Sequence, residues 1–186
     1  MEHINPLSQL KSVTPRVAEV EISVNPRQSL MDEKINITVK GLLAEQSVTV
    51  KVNLTGDSNE RFESYGQFTA DEAGTVSVAE HYCHAGTYTG IDAMGLLWSM
   101  QPVPGQKKGQ RLSKKDATKP YYIHLQIFDG HTDDFRNTEA KSLASTTFEK
   151  WYMAPGVRRI PVRDGRVRGT LFIPPGRGPF PGMSAN

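Results

Sequence analysis

The sequence predicts an all-β fold, an immunoglobulin-like antiparallel β-sandwich over residues 14–154 followed by a hairpin within 155–186. Three observations lead there. Apolar side chains recur at every second position, which turns one side of each segment to a core and the other to water. Turn residues interrupt these segments at short intervals. Helical periodicity is almost absent, so about seven short strands are expected to stack as two sheets.

The elements follow in chain order. Val20, Ile22 and Val24 alternate with Glu19, Glu21 and Ser23. Ile35, Ile37 and Val39 alternate with Asn36, Thr38 and Lys40. Val48, Val50, Val52 and Leu54 alternate with Thr49, Lys51 and Asn53. Residues 25–29 and 42–46 are the short connections between them, and Gly56-Asp57-Ser58-Asn59 is a plain turn signal. Strands are expected at 62–70 and 75–78, separated by Asp71-Glu72-Ala73-Gly74. Another runs over 121–128 through Ile123, Leu125 and Ile127, and a last one, rich in Thr and aromatics, over 145–153. Val20, Ile22, Ile37, Val50, Val52, Leu125 and Ile127 are the predicted core. Residues 102–120 read as an exposed basic loop, and 131–141 as a similar loop with room for one helical turn.

Ala154-Pro155-Gly156 marks a break, and the domain boundary is placed there. Beyond it, two short strands meet at a turn at Asp164-Gly165, a strong hairpin signal. Alone, such a hairpin is marginal in water, so it is expected to be less ordered than the sandwich or to find a partner, by self-association or docking.

Composition narrows the function classes. With 37% hydrophobic and 23% charged residues, the chain fits a globular rather than a disordered protein. A net charge of +2 gives no argument for nucleic acid. No apolar run approaches the ~20 residues of a membrane helix. The first residues carry Glu2 and no apolar segment, which predicts no secretory signal, and with only Lys11 and Arg16 basic a transit peptide is not expected either. Cys83 is the sole cysteine, so no internal disulfide can form, which suits a reducing compartment. Asn36-Ile37-Thr38 and Asn53-Leu54-Thr55 match glycosylation acceptors but read as ordinary strand residues. Basic residues crowd two places: Lys107, Lys108, Arg111, Lys114 and Lys115, and then Arg158, Arg159, Arg163, Arg166 and Arg168. A solvated loop and an alternating strand face account for both; the sharper alternative is attraction for an anion such as a coenzyme A phosphate.

Few constellations could carry chemistry. His81-Tyr82-Cys83-His84, with Glu80 beside it, holds the softest ligands. Neighbouring side chains alternate direction, however, and no second ligand pair is evident, so a polar inter-strand loop is expected. Cys83 as a nucleophile lacks a positioned base and an oxyanion site, and reads as a loop cysteine. Trp98 and Trp151 suit stacking on an adenine ring less well than anchoring a core, with Trp151 favoured for an interdomain face. Gly86, Gly90 and Gly95 lie in β-like flanks without a following helix start, and read as tight turns rather than a phosphate loop. No metal, cofactor or catalytic residue is assigned.

Four blocks taken together resemble the acyl-CoA thioesterase and bile-acid-CoA:amino-acid N-acyltransferase family. They are residues 62–70 (FESYGQFTA) running on to Gly74-Thr75-Val76, Gly86-Thr87-Tyr88-Thr89-Gly90 with Met94-Gly95-Leu96-Leu97-Trp98-Ser99-Met100, Trp151-Tyr152-Met153-Ala154-Pro155-Gly156-Val157, and 171–182 (LFIPPGRGPFPG). Their order and spacing match from about residue 14 to 182. The resemblance implies an N-terminal β-sandwich followed by a larger α/β-hydrolase domain. That domain carries Ser, Asp and His in thioesterases, with Cys replacing Ser in the conjugating members. It implies acyl-CoA as the substrate of the full-length family. On this reading the hairpin is the first of the hydrolase domain, and the chain stops before the G-x-S-x-G elbow. Gly182-Met183-Ser184-Ala185-Asn186 imitates that elbow in letters only. The expectation is therefore an N-terminal module of a thioesterase, inactive by itself, arising as a splice form, a partial gene reading or an excised piece. The rival is a stand-alone binding or regulatory module that docks on a full-length relative. Cytoplasm is the expected compartment, with mitochondria and peroxisomes, as in relatives, the alternatives. Ser184-Ala185-Asn186 lacks the basic middle residue of a peroxisomal tripeptide.

Overall fold

The computed structural model describes residues 19–107, 109–135 and 142–183. Its strands are β1 (Glu21–Asn25), β2 (Gln28–Leu30), β3 (Asn36–Lys40), β4 (Ser47–Thr55), β5 (Arg61–Thr69), β6 (Val76–Ser77) and β7 (Ala85–Gly86). A single helical turn, α1 (Gly95–Trp98), precedes β8 (Gln101–Pro102), β9 (Tyr121–Asp129), β10 (Ser142–Trp151), β11 (Arg158–Asp164) and β12 (Val167–Ile173). One sheet runs β1-β3-β6. A larger sheet runs β2-β10-β9-β4-β5-β7, with β8 also pairing β5, and β11-β12 form a hairpin of their own. The chain is thus almost entirely β, as expected.

Both larger sheets feed one core. Ile37 and Val39 from β3 and Val76 from β6 join Val48, Val50 and Val52 of β4, Phe68 of β5 and Ile123, Leu125 and Ile127 of β9. The register aligns these residues: Val50 lies opposite Ile127 and Val52 opposite Leu125. Each such side chain, fully buried, stabilises the fold by ~1.5–3 kcal/mol. Five of the seven predicted core residues are buried; Val20 and Ile22 are only half-buried. The reason is position, since β1 is the edge of the smaller sheet.

Four further details depart from the periodicity. First, residues 25–29 are not a plain connection. The chain leaves β1 at Pro26, which has no N–H to continue a ladder, and enters the other sheet as β2. There β2 pairs with β10 in parallel, Ser29 opposite Lys150, whereas every other strand pair among the described residues is antiparallel. Second, β4 is buried on both faces over residues 48–52. Residues 130–135 cover its outer side: Thr49 Oγ1 donates to Gly130 O at 2.8 Å and accepts from Thr132 N at 2.9 Å. Lys51 there pairs with Glu63 at 2.7 Å and lies 3.9 Å from the Phe135 ring centre. Third, Gly95 opens α1 and is no turn glycine: a Cβ there would stand 2.2 Å from the Tyr88 ring. Fourth, the hairpin turn is Gly165-Arg166, one residue later than expected, because Asp164 pairs with Val167. Gly165 takes φ +49°, the left-handed conformation a two-residue turn asks of its first position. The helical turn expected in 131–141 falls partly on residues 136–141, outside the described residues.

Candidate functional site at the sheet edge

Where the larger sheet ends at β2, the chain leaving β10 turns through residues 153–157 toward the hairpin, and two adjoining clefts open. One, of about 700 Å³, is lined by Leu30, Glu33, Trp151, Pro155, Val157 and Arg159, among others. The other, of about 620 Å³, is lined chiefly by Leu30, Lys114, Tyr152, Met153 and Phe172. Leu30, Met153, Ala154 and Val157 belong to both. The walls are mostly apolar, with a carboxylate and a guanidinium among the lining groups. Neither a histidine nor a cysteine is among the lining residues. This arrangement can hold an apolar surface and orient it by a few polar contacts.

The cleft floor is pinned by a buried amine. Lys150 follows Phe148 on the inner face of β10 and is 1% exposed. Its Nζ donates to Leu30 O at 3.0 Å and to Glu33 O at 2.5 Å. Leu30 N in turn donates to Glu33 Oε2 at 2.7 Å, which closes the 30–33 turn. Burial pulls the Lys150 amine below the usual lysine range, opposed by the Glu33 and Asp32 carboxylates. Nothing in the alternation marks this lysine, because its carbonyl partners lie more than a hundred residues away and meet it only through the parallel β2–β10 pairing.

One wall of the second cleft comes from the basic loop, which the turn at 56–59 holds in place. Asp57 accepts from Lys115 N at 2.8 Å, Asp116 N at 3.0 Å and Lys114 Nζ at 3.0 Å. These contacts, the Asp116 amide foremost, hold its carboxyl down to about 2. Glu60 accepts from Ser113 Oγ, and this contact lowers its pKa as well. Lys114 also donates to Pro120 O at 3.1 Å and stands 4.7 Å from the Tyr121 ring centre. The stretch expected as an open loop is, from 113 to 116, a docked one.

The residues singled out from sequence are scattered. Cys83 is fully buried, packed over Gly66, and its thiol donates to Ala85 O at 3.3 Å and Tyr88 O at 3.4 Å. Burial pushes the thiol up. It is a core residue rather than a loop cysteine, since residue 83 bridges to Gly90 and the chain folds its side chain inward. His81 Nδ1 accepts from Ser77 N, whereas His84 lies outside beside Thr69 and His131, so the cluster does not converge. Trp98 anchors no core: it is 63% exposed, edge-on to Tyr88, and donates to Asp92 at 2.9 Å. Trp151 is half-buried, donates to Glu149 at 2.9 Å and lines the larger cleft. Gly86 lies in β7 opposite Gly66 with φ +136°, and Gly90 takes φ +95°. Ser184, Ala185 and Asn186 lie outside the described residues.

Comparison with known proteins adds what geometry cannot. The family described as "Acyl-CoA thioester hydrolase/BAAT N-terminal region" matches residues 32–164. Rat "Acyl-coenzyme A thioesterase 2, mitochondrial" is 41% identical over 177 residues, 95% of this chain and 38% of the relative. Mouse "Peroxisomal succinyl-coenzyme A thioesterase" is 42% identical over 163 residues, 87% of this chain and 37% of the relative. The chain thus spans less than two fifths of the length of these relatives. It belongs, by the region that runs from β3 to β11, to the acyl-CoA thioester hydrolase/BAAT family.

Proposed function

We propose that residues 14–154 are the immunoglobulin-like N-terminal sandwich of an acyl-CoA thioesterase and that residues 155–186 open its α/β-hydrolase domain. The activity of the whole protein is then hydrolysis of fatty acyl-CoA to free acid and coenzyme A. The 186 residues by themselves turn over no thioester. The observation that carries this reading is the match of residues 32–164 to the family's N-terminal region, together with the small share of each relative that the chain spans.

The hairpin supports it physically. Ile160, Val162, Val167, Leu171 and Ile173 share one face by register, with Arg158 and Asp164 at its two ends, whereas Arg159, Arg163, Arg168 and Phe172 share the other. Pro161 has no N–H, so its place in the ladder puts the missing donor on the outer edge of β11 and blunts that edge. The outer edge of β12, at Arg168, Thr170 and Phe172, keeps its donors and acceptors. An apolar face with one usable edge suits a strand that continues into a larger sheet.

Purified chain is expected to leave palmitoyl-CoA hydrolysis at the background rate. Turnover that Cys83→Ala abolishes would overturn this and point to residues 81–84. The same exposed face and edge favour the second reading, a module that docks on a full-length relative. The transcript beyond codon 186 decides between them: continuation into G-x-S-x-G or G-x-C-x-G supports the first, and a genuine stop with stable product supports the second. We place the chain in the cytosol; fractionation of a tagged chain with mitochondria or peroxisomes would reverse that.

A further inference from the structure

Residues 113–119 pair with no strand, yet Ser113, Lys114, Lys115 and Asp116 all bond to the 57–60 turn. These bonds join segments 53 to 59 residues apart in sequence, so chain connectivity does not explain them. Space for them is reserved in the turn itself: a Cβ on Gly56 would stand 2.5 Å from Glu60 Oε2 and 3.0 Å from Leu112 Cδ1. Asp57 receives the strap on its carboxylate and also donates its own N–H to Ser113 O at 3.3 Å. Beyond these bonds the preceding segment is held by Val103 N to Arg61 O and by turns within itself.

The other end of this arrangement faces the clefts. Lys114 and Ala117 line the smaller one, and Thr118 lines the larger one together with Trp151. Lys114 lies against Tyr121, whose ring meets Tyr152 edge-on at 6.0 Å. A push at Asp57 is therefore one side chain away from the cleft wall. We propose that residues 113–119 are a latched strap, that Asp57 is the latch, and that closing or releasing it sets access to the two clefts and to Trp151. The strap is tied by hydrogen bonds and one partly buried ion pair, with no strand pairing, so it can lift while both sheets stay intact. Asp57 is a positioning residue: it touches no occupant of the cleft and acts through Lys114 and the 115–118 backbone.

Trp98→Phe leaves Trp151 as the sole tryptophan and makes the cleft readable by acrylamide quenching. In that background, Asp57→Ala is expected to speed exchange of the Lys115 and Asp116 amides by about tenfold or more, since each amide loses its own charge-assisted hydrogen bond. Quenching of Trp151 should rise in parallel. Lys114→Met keeps the two backbone bonds and should show a smaller change of both kinds. Asp71→Ala, which breaks a carboxylate-bonded turn at residues 71–75, should change neither. Protection of residues 48–54 must stay unchanged, which separates strap release from unfolding. If Asp57→Ala does not fold, Asp57→Asn and Lys114→Met carry the same comparison. Faster exchange with unaltered Trp151 quenching would overturn the gating role, and unaltered exchange would overturn the latch.

Discussion

Among single residues, those that decide most about this molecule are ones with no room to change. Gly95 stands against the buried Tyr88 ring, which in turn packs near Gly66 and Cys83. Gly95→Ala is expected to lower stability by about 1–3 kcal/mol, the usual cost of overpacking, read as a lower urea midpoint at unchanged slope. Its helix propensity would predict a gain instead, so the sign of the shift tests the packing argument. Asp57 gives a pH-dependent counterpart. Its carboxyl is held at about 2 in the fold against an ordinary 3.8. A depressed carboxylate contributes stability that is present above its unfolded pKa and lost as pH falls through the folded one. The stability difference between the natural chain and Asp57→Asn should therefore be constant near neutrality and close between about pH 4 and 2. Urea titrations at several pH values measure this; a gap that widens on acidification would contradict the assignment. None of these roles is visible in the letters. Gly95, Asp57 and Lys150 each act on partners that are distant in sequence or belong to another element, whereas the alternation that marks Val50 or Leu125 is local.

At the scale of elements, β11 and β12 contrast with β4. The central strand is flanked by β5 and β9 and buried on both sides over residues 48–52. The hairpin pairs only with itself, and Ile160, Val167, Leu171 and Phe172 are all between 39% and 60% exposed. A two-stranded ribbon without a covered face is marginal in water. Amides of residues 167–173 should therefore exchange much faster than those of residues 48–54 in a hydrogen-exchange experiment on the purified chain. Equal protection in a monomer would mean that the hairpin is packed, and that the chain is a finished unit. The long strands and this hairpin were legible in advance, because alternation and a Gly-containing turn are short-range signals. The short strands β2, β7 and β8 were not: two or three residues carry no period, and each exists only because a longer neighbour offers an edge.

For the whole molecule, the family was legible from four ordered blocks, three of which lie within the match over residues 32–164. The candidate site was not. Trp151 pointed toward the right end of β10, but the cleft also needs Leu30, Lys114 and Phe172, drawn from three other segments. By itself the sequence determined the β character of the chain, most of the inward-facing residues of the long strands, the place of the final hairpin and the family. All of these rest on patterns within a few residues or on ordered blocks along the chain. Only the tertiary structure decided that β2 joins the second sheet in parallel, that Lys150 and Cys83 are buried, and that the basic loop is strapped to Asp57. These depend on which backbone edges and carbonyls meet after the sheets form, and that meeting is set by packing between segments that carry no mark of one another in the chain.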